Sequence, residues 1–134
     1  MDDAERLEGI YAALDRLEGM LPTHVVLVEG IKDAEALRRA GIDGDFYLVQ
    51  SGGGPVRAAE HAWRAGRPAV VMTDWDRRGG SLAEALRENL SSLGVRYDDT
   101  VRRDLAIFCR PYAKDVESLD SVIGLLEART GAGP

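Results

Sequence analysis

A chain of 134 residues, 45% apolar and 30% charged, is sized for one globular domain with a real core. Its net charge of −6, from 23 acids and 17 bases, argues against a generally basic nucleic-acid-binding surface but leaves room for a local one. No run reaches the roughly 20 apolar residues of a membrane span. The start Met1-Asp2-Asp3-Ala4-Glu5 is not a secretory signal, and the single Cys109 allows neither an intrachain disulfide nor a cysteine metal cluster. No membrane association and a cytoplasmic location are therefore expected.

In the first 21 residues, Leu7, Ile10, Leu14, Leu17 and Leu21 recur at 3-4-3-4 spacing with Tyr11 beside them, which predicts an amphipathic helix ended by Pro22. It packs either on its own domain or on a partner. Residues 24–28 read as the first strand, ending in Glu29-Gly30, and 32–40 as a helix with Ala34, Leu37 and Ala40 inward and Gly41 as its stop. Residues 45–49 form the second strand and 50–54 a loop. Pro55 suits the first turn of the next helix, whose inner face is expected to be Val56, Ala59 and Trp63. Residues 69–73 form the third strand and 74–80 its loop. A helix follows at 81–93, with Leu82, Leu86, Leu90 and Leu93 on one side. The polar stretch 95–103 is a turn with a short helix or an edge strand, and 105–109 is expected as the fourth strand. Pro111 leads through Lys114 to a last helix, 115–129, striped by Val116, Leu119, Ile123 and Leu126, and the tail 131–134 is expected to fray.

This alternation predicts an α/β unit, a mainly parallel sheet of about four strands with helices on both faces. Placing the second strand on the far side of the first and the third beside it gives the order 2-1-3-4. The apolar run from residue 69 stops at two acids, Asp74 and Asp76, followed by Arg77-Arg78-Gly79-Gly80. With the first and third strands as neighbours, Glu29 converges on them where open α/β sheets bind ligands. At an effective dielectric of about 20, two carboxylates 4 Å apart repel by roughly 4 kcal/mol, so a proton or a cation must offset the charge. Oxygen ligands select Mg²⁺, Mn²⁺ or Ca²⁺ over zinc, and His24 and His61 have no zinc-like spacing. The plainer alternative is that Asp74 and Asp76 cap the next helix and solvate a loop.

Several neighbours carry two readings each. Asp33 is an extra ligand or a helix-start acid favoured by the dipole. Arg77 and Arg78 hold phosphates or pair with local acids. Lys114 approaches a phosphate or pairs with Asp115 or Glu117. Trp75 stacks on a base or packs beneath the loop. The glycines 52–54 lack Walker-loop spacing and read as a turn.

Val-Glu-Gly-Ile-Lys-Asp-Ala-Glu-Ala-Leu (28–37) and Thr-Asp-Trp-Asp-Arg-Arg-Gly-Gly (73–80) resemble the two signatures of the Toprim domain. That domain is shared by topoisomerases, bacterial-type primases, OLD-family nucleases, recombination-repair proteins and small RNA-maturing ribonucleases. The Lys114–Leu119 segment is similar to a later part of small stand-alone archaeal Toprim proteins, the nearest group. The resemblance spans roughly 22–120. It departs at Ile31, where many members have lysine; here Lys32 comes one residue later. The resemblance implies a Rossmann-like domain over 22–130 and a Mg²⁺ site, with Mn²⁺ as a substitute, Asp74 and Asp76 holding the metal, and Glu29 beside them as general acid or base and further metal ligand. The expected function is a Mg²⁺-dependent nucleic-acid phosphodiester enzyme, a nuclease or RNA/DNA-processing protein, but not a complete topoisomerase or primase. The alternative is a non-catalytic metal- or nucleic-acid-binding module acting with a partner protein. Haloacid-dehalogenase-type and receiver-type acid sites fit less well, because the Asp-X-Asp here follows the third strand and Glu29 is followed by glycine.

Overall fold

Two stretches without a polar residue, Val25–Val28 and Ala69–Met72, are buried along their whole length and form the central strands β1 and β3. The computed structural model describes residues 1–132, so the part of the expected tail at 133 and 134 lies outside it. The remaining elements are α1 (Asp3–Met20), α2 (Ile31–Arg39), β2 (Phe46–Leu48), α3 (Pro55–Ala65), α4 (Arg77–Ser92), β4 (Tyr97–Asp98), α5 (Thr100–Cys109), a 3-10 turn (Val116–Ser118) and α6 (Leu119–Thr130). The sheet has the order β2-β1-β3-β4 and every pairing is parallel, with Leu27 opposite both Tyr47 and Val71. The α/β architecture and the 2-1-3-4 order are those expected, with a different segment in the fourth place.

Because side chains alternate across a strand, β1 and β3 each supply two cores. Val26, Val28, Val70 and Met72 face α1, α2, α5 and α6. Val25, Leu27, Ala69 and Val71 face α3 and α4. Helix α1 is capped by Asp2, which accepts from the Glu5 N–H at 2.8 Å, and buries Leu7, Ile10, Leu14 and Leu17 in the first of these cores. It therefore packs on its own domain. Each such side chain contributes about 1.5–3 kcal/mol on full burial. No helix among the described residues is long and apolar enough to cross a membrane.

Four local expectations are corrected. Residues 105–109 are not a strand but the end of α5, and the fourth strand is the two-residue Tyr97–Asp98. The apolar run hid a helical period: Val101, Leu105, Ala106 and Cys109 are buried, while Ile107 is 55% exposed. Lys114 consequently follows a helix. On α3 the inner face is Ala58, Ala59 and Ala62, with Val56 and Trp63 outside; alanines let the helix sit close to the sheet. Helix α4 begins at Arg77 rather than residue 81, because Asp76 Oδ1 accepts from the Gly79 N–H at 2.7 Å and caps it. The expected start of the last helix is instead the 3-10 turn, capped by Asp115, which accepts from the Ser118 N–H at 3.0 Å.

Candidate functional site

Helix α2 leaves β1 toward one face of the sheet and α4 leaves β3 toward the other, so a crevice opens at the carboxyl ends of these two strands. Glu29 follows β1 and is 4% exposed. Its Oε2 accepts from the Asp74 N–H at 2.7 Å, and its carbonyl accepts from the Gln50 N–H at 3.1 Å. Asp74 Oδ1 accepts from the Val116 N–H at 2.9 Å. Arg102 donates from Nε to the Thr73 carbonyl at 3.1 Å and from Nη2 to the Asp74 carbonyl at 2.6 Å. The backbone N–H of Trp75 donates to the Lys114 carbonyl at 3.0 Å. The loop after β3 is thus tied to β1, to α5 and to the segment before α6.

The resulting cleft has a volume of about 340 Å³ and brings Glu29, Asp33, Asp74 and Glu117 together with Lys32, Arg78 and Gln50. Burial is the main cause that pushes Asp74 up to about 6; the charge and side-chain hydrogen bond of Glu29, then the charge of Asp76, add to it, against the opposing Val116 N–H. Asp33 is also pushed up to about 6, first by burial and then by the charges of Asp74, Glu117 and Asp115, against the Gly30 N–H bond.

The expected site residues divide. Glu29 and Asp74 are side by side, and Lys32 and Arg78 share their cleft. Asp76 uses Oδ1 to cap α4, and among the described residues no three His, Cys, Asp or Glu side chains are disposed to hold one ion. Asp33 takes the helix-start position, its Oδ2 accepting from the Gly30 N–H at 2.9 Å. Arg77 is exposed and outside the cleft lining, and Lys114 meets the site through its backbone carbonyl. Trp75, 4% exposed, packs in the core beneath the loop and offers no face to a base. Sequence reasoning missed Arg102, Gln50 and Glu117 as site residues. Glu117 lay inside a segment already singled out. Arg102 carried no local signal, since its partners are 28 and 29 residues away.

All donors at the paired position are carboxylate oxygens, and their mutual repulsion is what a divalent cation relieves. Glu29 and Asp74 therefore fit Mg²⁺, which uses one or two carboxylates and keeps waters or substrate oxygens as its other ligands.

Two stability results follow from this geometry. Asp33 and Asp74 bind protons more tightly folded, near pH 6, than at the ordinary value of 3.8. Their ionisation destabilises the fold fully above about pH 6, and the loss disappears as pH falls toward 3.8. Asp33 is 7% exposed and Asp74 is half-buried at the open cleft, so each ionisation costs on the order of 1 kcal/mol, least screened at Asp33. In a chelator, these two groups should raise the thermal midpoint on going from pH 7.5 to 5.5. Asp74→Asn, which keeps an acceptor for Val116 N–H, should raise the midpoint at pH 7.5 by about 2–4 °C and flatten that rise; a midpoint insensitive to both changes would refute the buried-charge account. Arg102→Ala removes two bonds from the Thr73 and Asp74 carbonyls and should cost about 2–3 kcal/mol. Urea unfolding reads this as a lower midpoint at unchanged slope.

No protein-family model matches the chain. It is 34% identical over 127 residues to the UPF0292 protein of Methanosarcina barkeri, covering 95% of this chain and 87% of that one. It is 35% identical over 107 residues to the UPF0292 protein of Methanosarcina acetivorans, covering 80% and 74%. The UPF0292 protein of Methanocaldococcus jannaschii is 27% identical over 119 residues, covering 89% and 93%. A solved structure described as a putative protein from Aquifex aeolicus aligns with a TM-score of 0.67 at 21% identity, over 81% of this chain and 95% of that one, a likeness of fold.

These findings overturn the Toprim resemblance, including the stand-alone archaeal Toprim proteins as the nearest group. The archaeal relatives that align along nearly the whole chain bear another family name, and no family model supports the two short motifs. Acids and glycines at strand ends recur because the carboxyl edge of a parallel sheet is where its polar loops lie. Such motifs mark a place in the fold more securely than they mark descent. The alignment with the Methanosarcina barkeri protein, 34% identical across 95% of this chain, shows that the chain belongs to the UPF0292 family.

Proposed function

We propose that the protein is a Mg²⁺-dependent enzyme acting on the phosphodiester bonds of nucleic acid, a nuclease or RNA/DNA-processing protein. The supporting observation is the pairing of Glu29 and Asp74 in one cleft with Lys32 and Arg78. Carboxylates beside cations suit a substrate that brings anionic phosphate and shares a divalent ion with the protein. Glu29 and Asp74 would hold Mg²⁺ or Mn²⁺; when bound, the ion polarises a phosphoryl oxygen and acidifies a water. Lys32 and Arg78 bind and orient the phosphate. Glu29, fixed at Oε2 by the Asp74 N–H, holds or moves the proton at its carboxylate. A cytoplasmic location belongs to the same reading, and the buried free thiol of Cys109 is compatible with it.

A second reading, a non-catalytic metal- or nucleic-acid-binding module working with a partner protein, is favoured by one observation. Asp76 caps α4 through Oδ1, and among the described residues no third acid joins Glu29 and Asp74 around one ion. The test is cleavage of structured RNA and DNA with and without Mg²⁺, comparing wild type, Glu29→Gln and Asp74→Asn. Cleavage by wild type and loss in both variants supports the enzyme. Equal activity in all three, or binding without turnover in wild type, overturns it.

A further inference from the structure

We propose that the edge formed by β2 and α3 binds single-stranded nucleic acid and leads it to the carboxylate cleft. The inference rests on the reading above for the reaction, though not for the binding. The acidic chain has a segregated charge. The helices of the opposite face, α1, α2, α5 and α6, carry eight bases against ten acids, five of these acids on α1. Helices α3 and α4 together carry Arg57, Arg64, Arg77, Arg78 and Arg87 against three, Glu60, Glu84 and Glu88. A polyanion meets the more favourable potential on the α3–α4 side.

On α3, Arg57, Glu60, His61 and Arg64 stand at i, i+3, i+4 and i+7 and share one stripe. With Tyr47 and Gly52 they line a recess of about 210 Å³. The Tyr47 and His61 rings lie 4.6 Å apart, and the Tyr47 hydroxyl donates to the Gly52 carbonyl at 2.6 Å, which fixes the tyrosine ring in place. His61 is exposed beside it. Arg57 makes no ion pair among the described residues, and its stem lies against Gly53. Glu60, the acid of the recess, is paired with Arg64 at 3.6 Å.

Aromatic faces next to arginines bind unpaired bases by stacking and phosphates by charge. A duplex keeps its base faces inside its own stack and cannot use the rings. The recess adjoins the cleft, since Gly52 lines one and Gln50 the other. The Cα path between those residues is at most about 7.6 Å. A strand of a few nucleotides therefore passes from the Tyr47–His61 pair over Gln50 toward Glu29 and Asp74.

The test is fluorescence anisotropy in a chelator, with labelled oligouridine, oligodeoxythymidine and a duplex of equal length. Wild type should bind a single strand about tenfold more tightly than the duplex. Arg57→Ala/Arg64→Ala should weaken single-strand binding about tenfold and lower the slope of log K against log salt by about 1.4. His61→Ala should weaken it severalfold or more. Arg16→Ala, on α1, should leave it unchanged. A preference between the two sugars distinguishes RNA from DNA and supports the track either way. Wild-type affinity in either the arginine or the histidine variant, a duplex bound as tightly as a single strand, or no binding by wild type, overturns the track. If Glu29→Gln abolishes cleavage while the arginine pair does nothing to binding, the enzyme stands and the track falls. If binding depends on the arginines but no Mg²⁺-dependent cleavage is found, the track stands and the enzyme falls.

Discussion

Glu29→Gln is expected to lower Mg²⁺-dependent cleavage by at least ~10²-fold, within the range that a positioned acid or base contributes. The substitution isolates chemistry from architecture. Glutamine has the shape of glutamate and still offers a carbonyl oxygen to the Asp74 N–H, now held at 2.7 Å. What disappears is the charge that would share a cation with Asp74 and the carboxylate that would move a proton. Because Glu29 is also one of the groups that raise Asp74, its removal should bring Asp74 back toward the ordinary carboxylate range. The fold should therefore be unharmed or slightly steadier near neutral pH. Single-turnover rates alongside thermal unfolding separate the cases. A fall in rate at an unchanged midpoint indicates chemistry; a fall in proportion to the midpoint indicates a structural role and would sink the assignment. Glu29→Ala is the poorer probe, since it leaves the Asp74 N–H without its acceptor.

Gly79→Ala should destabilise the protein by about 3 kcal/mol or more, at the upper end of overpacking effects. A Cβ at this position would lie 2.0 Å from the Asp74 carbonyl oxygen and 2.5 Å from its carbon, so backbone must move. The first turn of α4 would have to lift away from the loop. Two bonds are then at risk: Gly79 N–H to Asp76 Oδ1 at 2.7 Å, and Thr73 Oγ1 to the Gly79 carbonyl at 2.7 Å. The neighbouring Gly80 is the internal control. Its Cβ would meet only Arg102 Nη2, at an ordinary 3.8 Å. In a helix interior, alanine is favoured over glycine by up to about 1 kcal/mol. Gly80→Ala should therefore be neutral or stabilising. Denaturant midpoints of the two variants moving in the same direction by similar amounts would refute this account of the loop–helix contact. Displacing Asp74 should also cost rate, since a shift of about 1 Å at a reacting site can cost ~10²-fold.

The central strands were legible because the relevant signals are local. Val25–Val28 and Ala69–Met72 are short, wholly apolar and bounded by polar turns, which suits strands covered on both faces. The edge was less legible. Tyr97–Asp98 is two residues long and carries almost no pattern. The apolar run at 105–109 looked like its natural replacement until Val101 and the exposed Ile107 revealed a helix. Helix α3 was hard to read for a related reason, since its buried face is built of small rather than large side chains. There, small Ala58, Ala59 and Ala62 face the sheet and Trp63 stands 55% exposed. At the candidate site, Glu29 and Asp74 could be named as strand-end acids. That Asp76 would turn aside to cap α4 was open, because capping and metal binding call for the same side chain in the same place.

By itself, then, the order of residues determined an α/β chain with two central apolar strands ending in acids, since hydrophobic period, glycine and proline stops, and strand-end polarity are all encoded within a few neighbouring positions; the 2-1-3-4 order it allowed was settled by pairings such as Val25 with Ala69. The tertiary structure decided which acids meet, that Arg102 spans the Thr73 and Asp74 carbonyls, that Val116 holds Asp74, and that α4 rests on Asp74 through Gly79. These contacts join positions that are mostly tens of residues apart. Their energies depend on distance, burial and the company of other charges, none of which exists until the chain has folded.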